Sequence, residues 1–204
     1  CSSDLAAGCV RAQGVDRFPV RALRLVVPNA AGGSTDLVAR TVAQRLSELL
    51  GQQVVVENRP GSGGILGTEA VVRAAPDGHT LLLGTIGNLA ISPHLYRRTG
   101  YDALKDFAPV SQLAAAAYIV VVHPSLPARS MQELVALARA RPDALAYASA
   151  GSGTMQHLAM ELLKQEVGLD TVHVPFKGSP PAMLALMSAT VAGMVRCPSA
   201  SAST

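Results

Sequence analysis

The chain has 204 residues, of which 49% are hydrophobic and 15% charged, a composition that fits one large or two small folded domains and argues against extensive disorder. Its 17 basic and 14 acidic residues are interspersed, so the net charge of +3 forms no basic stripe, and with 3% aromatics and no Trp neither a nucleic-acid surface nor a stacking platform is expected. No run of 18 apolar residues is present, and Cys1, Cys9 and Cys197 all lie near the ends, which excludes a disulfide framework or a CxxC metal site in the middle of the chain.

Residues 5–12 (LAAGCVRA) have the small-residue character of the end of a secretory signal, with cleavage expected before Gln13. The same stretch loosely matches a lipoprotein box at Cys9, although Ala6 sits where a larger aliphatic residue is usual. From Leu23 short β-branched runs alternate with longer helical ones, the pattern of an α/β protein around a mainly parallel sheet. Residues 23–27 form a buried strand. The helix expected over 36–50 places Leu37, Val38, Val42, Leu46 and Leu49 near one face, and Gly51 supplies a left-handed stop. Residues 53–57 are the second strand, followed by a turn-rich loop from Asn58 to Gly64 and a helix to about Ala75. After Pro76-Asp77-Gly78 the third strand is expected at 80–84, and the mixed stretch 88–107 reads as short helices and loops.

Residues 118–122 (YIVVV) read as a strongly apolar strand, and a crossover to a second lobe fits after it. Ser130 with Glu133 forms a capping box for a helix to about Arg141. A strand at 145–149, a helix ending near Gly168, a strand at 171–175 and a helix opening at Pro180-Pro181 follow. Beyond Met194 the pattern decays into RCPSASAST, which reads as an aberrant, disordered tail over 195–204.

Three loops share one design, each following an apolar strand and opening a helix: AAGGSTD (30–36), PGSGG (60–64) and ASAGSGT (148–154). In parallel α/β sheets such loops gather at the carboxyl edge of the strands. Their glycines allow close backbone approach, and the free N–H groups of a first helical turn favour an anion. The features suit a carboxylate better than a nucleotide, because neither GxGxxG at the first loop nor GxxxxGK[ST] is present. The plainer reading of each loop is helix capping, by Ser34, Thr35 or Asp36 in the first helix and by Thr154 in its counterpart. Capping alone does not require paired glycines in every loop. The five histidines lack metal spacing, no cofactor motif is present, and Ser149 and Ser152 lie in no GxSxG elbow, so neither a metal nor a catalytic residue is assigned. Lys177-Gly178-Ser179 is either a solvated turn or a cationic lip of the cleft.

Taken in order, RLVVPNAAGGSTDLVAR, VVVENRPGSGG, AAPDGHTLLLGT, DFAPVSQL, YASAGSGTMQHLA and VHVPFKGSPPA closely resemble the substrate-binding proteins of tripartite tricarboxylate transporters, the Bug proteins, over about residues 18–194. The resemblance implies a periplasmic, two-lobed Venus flytrap of the type II periplasmic binding protein fold, which captures a small organic acid for a membrane permease. It also implies a carboxylate gripped between the first strand–helix loop and its counterpart in the second lobe. Carried onto this chain, the ligand-binding candidates are Asn29, Ala31, Gly32, Gly33, Ser34, Thr35 and Asp36, then Ser149, Ala150, Gly151, Ser152, Gly153 and Thr154. Weaker candidates are Gly63, Gly64, Thr85, Asn88, Lys177 and Gly178, and His157 is expected to orient the second loop. Asp36 would repel an anionic ligand unless it serves its own helix or meets an ammonium group.

The family's chain continues well beyond the TVHVP region, so the expected organisation is a signal remnant at 1–17, a first lobe at 18–115, a truncated second lobe at 116–194 and the tail. The ligand could be a dicarboxylate, a tricarboxylate, an acidic amino acid or an aromatic acid. The alternatives to a receptor are an anion-site enzyme and a ligand-sensing regulatory domain; no basic helix-turn-helix segment supports the latter.

Overall fold

The computed structural model describes residues 18–141 and 145–196. The expected signal remnant 1–17, with Cys9, lies outside the described residues, as does 197–204 of the expected tail. Two sheets organise the molecule. The first has the order β2-β1-β3, all parallel, with β1 (Leu23–Val27) between β2 (Val54–Asn58) and β3 (Thr80–Leu82). Leu23, Leu25, Val26 and Val27 are buried, as an almost continuous apolar run in a central parallel strand requires.

Helix α1 (Ser34–Leu50) packs on this sheet and ends at Gly51, whose φ of +66° suits the left-handed stop. Its buried face is Asp36, Ala39 and Ala43. Leu37 and Leu49, expected near that face, are 49% and 66% exposed. Ala39 and Ala43 join the core beneath the helix with Leu46 packed against them, a face offset from the expected Leu37–Leu49 set. A 3-10 turn (Ser62–Gly64) leads into α2 (Ile65–Val72), and a π turn (Gly87–Ile91) leads into the short α3 (Ser92–Leu95).

The second sheet has the order β4-β7-β5-β6, from β4 (Ile119–Val122), β5 (Ala146–Ser149), β6 (Val172–Pro175) and β7 (Gly193–Arg196). Strand β7 corrects the expected tail. All four residues, Gly193 to Arg196, pair antiparallel with β4, and Gly193 and Met194 also pair parallel with β5. Met194 and Val195 are buried against Tyr147, Ala148 and helix α6 (Ser179–Met187), and this tertiary burial makes a strand of a stretch too short to show a period. Helix α4 (Met131–Ala140) carries the expected cap: the Glu133 N–H donates to Ser130 Oγ at 3.2 Å, and Glu133 reaches back to the Arg129 N–H at 2.6 Å. Helix α5 (Met155–Val167) ends at Gly168, as expected. Among the described residues no helix is long and apolar enough to cross a membrane.

Candidate functional site

Between the two sheets lies a cleft of about 190 Å³. The first lobe contributes Pro28, Asn29 and Ala30 after β1, the turn Pro60–Gly64 after β2, and Tyr96 after α3. The second lobe contributes Ala150, Gly151, Ser152 and Thr154 after β5, with Phe176, Lys177 and Gly178 after β6. Each of the four strand-following segments leaves the carboxyl end of a parallel strand, as ligand sites in open α/β sheets do.

Among the expected residues, the structure brings Asn29, Gly63, Gly64, Ala150, Gly151, Ser152, Thr154, Lys177 and Gly178 to the wall of the cleft. The rest are not on the wall. Ala31, Gly32, Gly33, Ser34 and Thr35 lie beside the wall rather than on it. Asp36 is 3% exposed and turned into the loop: its Oδ2 accepts from the Gly32 N–H and from Arg40 Nε, both at 2.9 Å, and its Oδ1 accepts from Asn58 Nδ2 at 2.9 Å. Burial works to raise its pKa, but the bonds from Arg40, Gly32 and Asn58 outweigh it and hold the carboxyl below the ordinary carboxylate value. Asn58 also donates to the Asn29 carbonyl at 3.1 Å, so a residue that reads as a turn former instead shapes the first loop.

Thr85 and Asn88 likewise leave the wall. Asn88 is fully buried; its Oδ1 accepts from the Thr85 N–H and hydroxyl, and its Nδ2 donates to Thr68 Oγ1, which donates to the Gly64 carbonyl. The pair therefore braces the glycine turn from behind. Ser149 is also fully buried. Its Oγ lies 2.6 Å from His173 Nε2 and accepts from the Gly151 N–H at 3.1 Å, which fixes the second loop rather than presenting a nucleophile to the cleft. His157 Nδ1 accepts from the Gly153 N–H at 3.3 Å, and its ring stacks on His173 at 4.1 Å.

The capping reading of the loops fails in a telling way. Gly33 and Thr154 are the N-cap residues of α1 and α5, and neither helix has a side-chain cap. Asp36 instead bonds backward to Gly32, and Thr154 Oγ1 donates to the Gly151 carbonyl at 2.7 Å. Among the described residues, the N-terminal N–H groups of both helices therefore receive no side-chain cap from their N-cap residues. Lys177 is the one charged residue on the described cleft wall; it is exposed and has no ion-pair partner among the described residues. The polar complement is neutral: Asn29, Ser62, Tyr96, Ser152 and Thr154. Such a wall offers donors and one positive charge to an anion with an apolar body, the latter facing Pro28, Pro60 and Phe176. Among the described residues no cluster of three or more His, Cys, Asp or Glu could hold a metal. Pro28, Pro60, Tyr96 and Phe176 escaped the sequence reading, because an isolated proline or aromatic carries no spacing signal.

Residues 38–203 match the tripartite tricarboxylate transporter family receptor. A curated relative, the UPF0065 protein in the tcbD-tcbE intergenic region of Pseudomonas sp. strain P51, is 40% identical over 191 residues, which are 94% of this chain and 56% of the relative. The chain therefore spans little more than half the length of that relative. The periplasmic binding protein BugD superposes with a TM-score of 0.84 at 36% identity, over 88% of this chain and 60% of that one. Rpa4515 of R. palustris, solved with adipate, gives 0.86 at 38%, over 88% and 60%. MatC of Rhodopseudomonas palustris, solved with bound malate, gives 0.83 at 36%, over 88% and 61%.

Proposed function

This chain belongs to the tripartite tricarboxylate transporter receptor family, and on that premise we propose that it is an extracytoplasmic solute-binding receptor whose cleft takes a small organic acid and delivers it to a membrane permease. The observation that carries the reading is the cleft itself: two lobes face it with glycine-rich strand–helix loops and a single cation, the uncapped N-cap residue Thr154 of α5 stands on its wall, and among the described residues no carboxylate does. Asp36 bears on the choice of ligand. With its carboxylate bonded to Gly32, Arg40 and Asn58, it is unavailable to an ammonium group, which favours dicarboxylates over amino acids.

In this reading residues 18–115 form the first lobe and residues from 116 onward the second. One carboxylate of the ligand sits between the loops at 29–30 and 150–154, with Lys177 on the adjoining turn, next to Gly178, which meets Ala30. The related proteins solved with adipate and with malate support an acid of this size. The periplasmic binding protein BugD supports a periplasmic location. Isothermal titration with malate and adipate, beside the neutral diamide of adipate, tests it. Saturable binding of an acid and none of the diamide is expected; equal binding of both would remove the anion site from the account.

A further inference from the structure

The two lobes touch beside the cleft along two seams, each at the bare backbone of a glycine. At one the loop after β1 meets the turn after β6: a Cβ on Gly178 would stand 2.5 Å from Ala30 Cβ and 3.5 Å from the Ala30 nitrogen. At the other, a Cβ on Gly63 would stand 2.7 Å from the Ser152 carbonyl oxygen, and Tyr96 donates its hydroxyl to that same oxygen at 3.3 Å. A Cβ on Gly153 would stand 2.9 Å from Leu95 Cδ2 of the first lobe. The lobes therefore touch on either side of the cleft while about 190 Å³ stays open between them. Atoms in van der Waals contact resist further approach steeply, so the closed width is set by what fills these seams.

The geometry points to Ala30 and Gly178 as the gauge that fixes the closed width of the cleft and so selects acids by length. The inference rests on the solute-binding reading. Closure around an acid stops when the Ala30 methyl meets the bare Gly178 backbone. An acid that spans the loops of both lobes at that separation keeps both its ends paired; a shorter one leaves an end unpaired, and a longer one holds the seam apart. Gly178 has φ +119°, where any side chain is strained, so substitution there confuses strain with bulk. Ala30 is free of that difficulty because its φ is not positive.

The test is therefore made at Ala30 in the full chain. Succinate, glutarate, adipate, pimelate and suberate are titrated against the wild type, Ala30→Gly and Ala30→Val. The expected result is that Ala30→Val moves the preferred acid toward greater length, changing the suberate-to-succinate affinity ratio about tenfold. Ala30→Gly is expected to move it toward shorter acids. If Ala30 only lines the cleft, valine fills space and the preference moves to shorter acids instead; that result, or an unchanged order in both variants, overturns the gauge. A wild type that binds none of the five acids fails at the earlier step and overturns the receptor reading itself. Should valine impair folding, the glycine variant alone still decides, since an unchanged order there overturns the gauge.

Discussion

The Gly32 N–H donates to Asp36 Oδ2 at 2.9 Å, so the carboxylate of the AAGGSTD loop is bonded within its own loop and does not face the cleft. Arg40 and Asn58 complete its shell. Asp36→Ala removes these bonds from a site 3% exposed. A loss of about 2 kcal/mol is expected from urea unfolding, within the range for hydrogen bonds to a charged group. Because the folded carboxyl is held below its ordinary value of 3.8, its contribution is present above that pH and is lost as the pH falls through the lower folded value.

His173 sets a second, separate acid window. Burial, and then the neighbouring His157, push its pKa from 6.5 down to about 4. The unfolded chain takes up a proton near 6.5 that the folded chain refuses until about 4, so stability present above 6.5 drains away across that interval. His173→Gln should flatten the decline of melting temperature between those two values. An identical slope in both proteins would contradict the assignment.

Lys177 stands on the cleft wall, exposed and outside any ion pair among the described residues. Lys177→Gln should weaken acid binding about threefold, in keeping with an exposed charge pair, and the difference should shrink as salt is added. The melting temperature without ligand should not move. A lowered melting point with unchanged affinity would make the residue structural.

Strand β7 is tested at Met194, which is 1% exposed between the helix and the sheet. Met194→Ala should cost about 2–5 kcal/mol by denaturant titration, as large-to-small substitutions in a core do. A cost below about 0.5 kcal/mol, the level of an ordinary surface change, would contradict the burial of β7 in the core.

The sequence was most legible where pattern and burial coincide. Strand β1, the Gly51 and Gly168 helix stops and the Ser130–Glu133 cap all follow from local chemistry, and the ordered motifs pointed to the family that the comparisons establish. It was least legible where a neighbour distant in the chain decides. Val195 becomes a strand residue because β4 lies beside it. Asn88 looks like a ligand donor in sequence, but Thr68, twenty residues earlier, takes its amide. Tyr96 and Phe176 reach the cleft only because the two sheets face each other, and no spacing encodes that.

Ligand capture between the lobes is tested by titrating isotope-labelled protein with adipate and following amide chemical-shift perturbation. Saturable shifts are expected at Asn29 and Ala30, Gly61–Gly64, Ala150–Thr154 and Lys177–Gly178, on both walls of the cleft. Shifts confined to one lobe, or none at a large excess of acid, would contradict a receptor that grips its ligand between the lobes.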